Sequence, residues 1–180
     1  MGVISIRRLE TLGQREIREL SDVLIDCVEG GASVSFMWPL SHEKAETFWR
    51  DVASEVAGGR RIVVIAEDAG GRIVGTAQAI LNLPENQPHR GDVAKILVHR
   101  SVRRQGVGGG LLDVIEKCAL SAGKTLLVLD TVTGGDGERL YSRQGWQRCG
   151  DIPGYALWPD GRPCGTTVFY KALGPISGRV

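Results

Sequence analysis

One stretch constrains this chain more than any other: DVAKILVHRSVRRQGVGGGLLDVIEKCALSA, from Asp92 to Ala122. The apolar run Val93 to Val98 predicts a strand. A basic, glycine-rich turn follows (His99, Arg100, Arg103, Arg104, Gly106, Gly108 to Gly110), and then a helix with Leu111, Ile115, Cys118 or Ala119, and Ala122 along one face. Such a turn adjoins the first amides of a helix, which have no internal partner and lie at the positive end of the helix dipole. Glycines let the backbone approach a ligand and adopt positive φ, and arginines add charge. The arrangement suits a pyrophosphate.

Two other readings fit parts of the same stretch. A dinucleotide site of the Rossmann type has some support, because Leu126 to Asp130 ends a second apolar run at the distance where a ribose-binding acid belongs. That site needs its first glycine straight after the strand, whereas polar residues intervene after Val98, and Leu111 fills the third glycine's place. The remaining reading is a solvated turn whose arginines only aid solubility.

The balance of charge narrows the choice. With a formal net charge of +1 over 180 residues, the chain carries no global footprint for nucleic acid or membranes. The basic cluster is therefore read as a site for one small anionic ligand. No apolar run is long enough to span a bilayer, and MGVISIRRLE lacks the apolar centre of a signal peptide, so a cytoplasmic protein is expected. Cys27, Cys118, Cys149 and Cys164 form no C-x-x-C pair, and His42, His89 and His99 are isolated; no metal site is expected.

The remaining elements follow from periodicity and turn chemistry. Val3 to Leu9 predicts a strand, Leu12 to Val28 a helix stopped by Gly30-Gly31, and Ser41 to Val56 a second helix stopped by Gly58-Gly59. Arg61 to Glu67 and Arg72 to Leu81 read as a hairpin. After the central unit come a strand at Thr125 to Asp130, a helix from Gly137 to Gln144, a strand near Trp146 to Asp151 and a return strand at Thr166 to Lys171. The order predicts an α/β (α+β) fold: a mixed sheet with helices against it, in a single domain over residues 1–180 with a flexible tail at about 174–180. Between the first two helices, ASVSFMWP (Ala32 to Pro39) is read either as core packing or as the wall of an acceptor pocket.

Arg103-Arg104-Gln105-Gly106-Val107-Gly108 is an R-x-x-G-x-G that resembles the pyrophosphate loop of the GNAT N-acetyltransferases, and the element order is similar to theirs. Leu140 to Trp146 (LYSRQGW) resembles the family's segment in which a helical Tyr precedes Gly and an aromatic. More narrowly, Gly30 to Met37 (GGASVSFM), Leu129 to Thr131 (LDT) and Pro153 to Arg162 (PGYALWPDGR) resemble the branch of the family that confers resistance to tabtoxin. The resemblance implies acetyl-CoA as co-substrate. Ile96, Leu97 and Val98 would pair with its pantetheine arm, and Arg103, Arg104, Gln105, Gly106, Val107, Gly108 and Gly109 would hold its pyrophosphate.

It also implies a small-molecule amine as acceptor, with Gly31, Ser33 and Phe36 shaping its pocket. Tyr141 matches the family's Tyr near the thioester sulfur, where a phenol serves as the acid; Asp130 and Asp92, at strand ends beside the slot, are the candidate bases. None of the four cysteines lies in a nucleophile motif, so direct transfer is expected. A nicotinamide (NAD(P))-dependent oxidoreductase and a non-catalytic acyl-CoA-binding module stay as alternatives, and a monomer or homodimer is expected.

Overall fold

The computed structural model describes residues 3–174. Within them the chain forms β1 (Ser5–Leu9), α1 (Gln14–Glu29), α2 (His42–Ala57), β2 (Arg61–Glu67), β3 (Ile73–Ile80) and β4 (Arg90–Val98). A 3-10 turn at Arg100–Val102 follows, then α3 (Val107–Ser121), β5 (Leu126–Val132), α4 (Asp136–Arg143), β6 (Gln147–Leu157) and β7 (Pro163–Ala172). This is the expected order of elements. The part of the expected tail beyond residue 174 lies outside the described residues.

The helix starts are chemically marked. The Ser41 hydroxyl accepts from the Lys44 amide at 3.2 Å, and Glu16 accepts from the Gly13 amide at 2.9 Å, so α1 and α2 each satisfy an amide that would otherwise be orphaned. Ile17, Leu20, Leu24 and Val28 recur at helical spacing and are buried on α1; Ala45, Trp49, Val52 and Val56 do the same on α2.

The strands join one sheet in the order β1-β2-β3-β4-β5-β7-β6. Among the described strands only β4 and β5 run parallel; the other pairings are antiparallel. The result is a mixed, mostly antiparallel sheet flanked by helices, as the sequence predicts. Strand alternation divides it into two faces. Val63, Ile65, Ile73 and Leu97 pack with α1 and α2, whereas Ile62, Val64, Val93, Leu127 and Phe169 pack with α3 and α4.

Two expectations are corrected. Gly108, Gly109 and Gly110 lie inside α3 rather than in the turn before it. Gly106, at φ +81°, is the N-cap, and the glycines that follow let side chains come close: a Cβ at Gly109 would stand 2.5 Å from Gln144 Nε2, and one at Gly110 2.5 Å from Ile6 Cδ1, so either end would have to shift. Tertiary packing thus outweighs glycine's weak helix propensity. The second correction is length: β6 and β7 run well past the expected Trp146 to Asp151 and Thr166 to Lys171. The pairing of Ala156 with Cys164 and Leu157 with Pro163 carries the hairpin outward through residues that are mostly exposed.

Leu111 is fully buried beneath α3, where its Cδ1 lies 3.2 Å from the position of a Cβ at Gly75 of β3. Leu111→Ala is expected to cost about 2–5 kcal/mol of unfolding free energy, read by urea denaturation.

Candidate active site

The site begins where two parallel strands part. β4 and β5 pair only through Arg90 with Leu126, Gly91 with Leu127 and Asp92 with Val128. Beyond these residues β4 keeps only β3 as its neighbour and β5 only β7. The β5-facing edge of β4 is therefore open over its second half. The His99 amide donates to Val74 O across the β3 side at 2.9 Å, so alternation turns the Leu97 backbone toward β3 and the backbones of Ile96 and Val98 toward the gap. In the gap the Val98 carbonyl accepts from Arg103 Nε at 3.1 Å.

β4 also bulges. Leu97 pairs with Thr76 and Ala94 with Gln78, so Lys95 and Ile96 together oppose the single residue Ala77. Lys95 takes a φ of +52°, costly for a residue with a side chain.

At the mouth of the gap the turn from Arg103 to Gly106 combines extended and left-handed backbone: Arg103 is extended at φ -62°, and Arg104 at +62° and Gly106 at +81° are left-handed. The first helical bond of α3 is Gly110 N to Gly106 O at 3.1 Å. Among the described residues the six amides from Arg104 to Gly109 have no hydrogen-bond acceptor. Successive unpaired N–H groups at the positive end of a helix form a concave anion receptor. Arg104 and Gln105 are exposed beside them; Arg103 is turned back onto Val98 O.

A residue passed over in the sequence anchors this turn. Asp26 on α1 is buried; it accepts from the Arg100 amide at 2.9 Å and Arg100 Nε at 2.7 Å, with His99 Nε2 at 3.4 Å. Burial pushes its carboxyl pKa up, but the hydrogen bonds from Arg100 and the charges of His99 and Arg100 outweigh that and hold it below the usual value.

Between the parting strands and the β6–β7 hairpin lies a cleft of about 340 Å³ on the face that carries α1 and α2. Asp92 and Asp130 both line it, with Val128, Ile152, Tyr155 and Thr166. Asp130 accepts from the Thr166 hydroxyl at 2.7 Å, and Asp92 pairs with Arg90. The two candidate bases thus share one cavity.

Tyr141 lies on the opposite face, buried on α4 between Trp146 at 6.0 Å and Phe169 at 5.8 Å between ring centroids. Burial, with the nearby charge of Asp130, raises its pKa well above the ordinary value, so the phenol stays protonated at physiological pH. A Cβ on Gly137 would meet Thr131 Oγ1 at 2.4 Å; this glycine lets α4 bring Tyr141 against β5.

The loop after α1 contributes differently. The Ser33 hydroxyl donates to Leu157 O at 2.7 Å and the Trp38 amide to Pro159 O at 3.1 Å, tying this loop to the β6–β7 hairpin. Gly31 turns the chain at φ +86°, and Phe36 stands edge-on to Phe48 at 5.4 Å, against the core. None of these three is among the residues that line the cleft.

No group of three or more His, Cys, Asp or Glu among the described residues is arranged to hold a metal ion, and no described helix is long and apolar enough to cross a membrane.

Residues 58–148 match the family model of the acetyltransferase (GNAT) domain. An uncharacterized N-acetyltransferase encoded in the hisH-hisA intergenic region of Azospirillum brasilense is 26% identical over 132 residues, 72% of this chain and 76% of that protein. Among solved structures, an acetyltransferase candidate from Acinetobacter baylyi ADP1 superposes with a TM-score of 0.81 at 16% identity, covering 98% of both chains. The Salmonella typhimurium protein yncA, solved with its cofactor acetyl-CoA, gives 0.76 at 16% identity over 97% of this chain and 96% of its own.

Because the Asp26 carboxylate is favoured by folding, its contribution is present above the usual aspartate pKa and lost as pH falls through the depressed folded value. Asp26→Asn is therefore expected to be about 1–3 kcal/mol less stable at pH 7 and to lose less stability than the parent below about pH 4, read by denaturant titration across pH.

Proposed function

The chain belongs to the GNAT acetyltransferase family and is an acetyl-CoA-dependent N-acetyltransferase; on that premise we propose that it moves the acetyl group directly to the primary amine of a small molecule bound in the Asp92–Asp130 cleft. The observation that carries this reading is the adjacency of the unpaired amides at the start of α3 to the gap between β4 and β5. A pyrophosphate would take up the first, and the extended amide groups of a pantetheine arm would pair with the open edge of β4.

Acetyl-CoA supplies an acyl carbon activated as a thioester. The backbone of Arg104 to Gly109 and the Arg104 side chain hold its phosphates, Arg103 braces the loop on the Val98 carbonyl, and Ile96, whose backbone faces the gap, supplies the amide that polarises the acyl carbonyl. Leu97 contributes through its buried side chain. The amine nitrogen bonds to the acetyl carbon as the carbon–sulfur bond breaks. Asp130 or Asp92, directly or through water, takes the proton that the nitrogen loses, and Tyr141 gives one to the departing thiolate and regains it from solvent.

The finer reading places the acceptor among toxin-like, antibiotic-like or amino-acid-like amines, on the resemblance of Gly30 to Met37, Leu129 to Thr131 and Pro153 to Arg162 to the tabtoxin-resistance branch. The seven described strands of one sheet support reading the chain as one catalytic domain. Cytoplasmic placement is supported by four free cysteines. The polar run after Val98, with Leu111 at the third glycine's place, disfavours the nicotinamide alternative.

Calorimetric titration is expected to give saturable 1:1 binding of acetyl-CoA and none of NADH, with Arg104→Ala weakening it about 10-fold. Absence of acetyl-CoA binding would overturn the assignment. Tyr141→Phe is expected to lower kcat about 100-fold with acetyl-CoA affinity unchanged, as measured by CoA release. Loss of binding instead would make Tyr141 a packing residue.

A further inference from the structure

Lys95 stands out among charged groups that the mechanism leaves unused. The bulge in β4 turns its side chain to the face of α1 and α2, beside Ala94, which lines the acceptor cleft. Its Nζ lies 3.2 Å from Ser35 Oγ and 5.9 and 5.6 Å from the ring centroids of Phe36 and Phe48. Among the described residues no carboxylate forms an ion pair with it. Burial lowers its pKa, the charge of Arg61 lowers it further, and the charge of Asp130 opposes both.

A second donor nearby has no acceptor at all. Gln78 on β3 is fully buried and registers with Ala94, the neighbour of Lys95. Arg61 occupies its Oε1, which fixes the amide orientation, and its Nε2 has no partner. A part-buried ammonium without a carboxylate partner and an orphaned buried N–H each carry a desolvation cost that hydrogen bonding to an anion would offset. Thr76, whose hydroxyl is likewise buried and unpartnered, sits two residues before Gln78 on the same face of β3.

We propose that Lys95 and Gln78 form a carboxylate-binding subsite next to the acceptor cleft, so that the acceptor is an amino-acid-like molecule held by its carboxylate at Lys95 while its amine lies toward Asp92 and Asp130. Opposite charges at the two ends of the site then match a zwitterion, and the bulge in β4 serves the acceptor by aiming Lys95 across the strand. This proposal rests on the acetyltransferase reading above. It gives Phe36 and Ser35 a role too: they frame the ammonium and limit its motion.

The test measures acetyl transfer from acetyl-CoA to each of the twenty amino acids and to the corresponding carboxamides, for the parent, Lys95→Met, Lys95→Arg and Gln78→Met, with acetyl-CoA affinity measured by calorimetry for each. The best amino acid is expected to exceed its carboxamide by about 10-fold or more in kcat/KM. Lys95→Met should bring that ratio close to one through KM, Gln78→Met should reduce it, and Lys95→Arg should retain most of it, all with acetyl-CoA affinity unchanged.

The proposal is overturned if the parent accepts carboxamides as well as amino acids, or binds acetyl-CoA yet accepts no amino acid. It also falls if Lys95→Met lowers both acceptor classes equally, which would assign Lys95 to proton transfer. Should Lys95→Met not fold, the parent ratio and Gln78→Met decide the matter. A parent that does not bind acetyl-CoA would bring down the acetyltransferase reading, and this subsite with it.

Discussion

Everything in the site depends on the early parting of β4 and β5. Two parallel strands that stayed paired along their length would bury their backbone groups in each other and leave no opening in the sheet. Here the ladder lasts three residue pairs, then each strand keeps one neighbour and offers one bare edge. Bare edges in water are ordinarily a hazard. In this fold the edge of β4 lies within the protein, between a helix N-terminus on one side and an acidic cleft on the other. A thioester threaded through the gap would meet an amine without either ligand crossing the core.

The parting is held by contacts remote from it. The Asp26–Arg100 pair fixes the end of β4 to α1, and Arg103 fixes the following turn to the last carbonyl of β4. On the far side, Trp146 donates to Glu116 at 2.9 Å, and Lys171 meets the same carboxylate at 2.6 Å, joining α3 to the strands that carry β5 outward. Glu116 is thus a peg shared by both halves of the sheet. The acidic cleft and the buried tyrosine lie on opposite faces of β5, and Tyr141 senses Asp130 electrostatically through that strand. One strand therefore separates the groups proposed to remove and to return a proton.

Legibility in the sequence followed local chemistry. Caps and apolar spacing located α1 and α2 within two residues at each end, because Ser41, Gly30 and Gly58 act on their own neighbours. The strand–turn–helix unit was legible for the same reason. The start of β6 was legible too, but its run on to Leu157 was not, since most of its side chains face water and nothing in their order marks a strand there. Lys95 was missed because no glycine or proline marks the bulge that redirects it, and Asp26 because its partner stands 74 residues away. Gln78 reads as one polar residue in an apolar strand; only the register against Ala94 gives it a neighbourhood. Residues whose role comes from the tertiary pairing of distant segments leave no local trace.

The position of β7 has a bearing on biosynthesis. It is the last described strand in the chain, yet it lies inside the sheet between β5 and β6. A growing chain on the ribosome exposes β5 with a free outer edge until β7 emerges. The loop after α1 meanwhile waits for the Leu157 and Pro159 carbonyls, made more than a hundred residues after Ser33 and Trp38. The turn before α3 can be assembled from earlier segments, so the hairpin wall of the cleft is the final part to form. A nascent chain arrested before β7 would carry the unpaired amides before α3 and no closed cleft, with an edge that a chaperone has reason to cover.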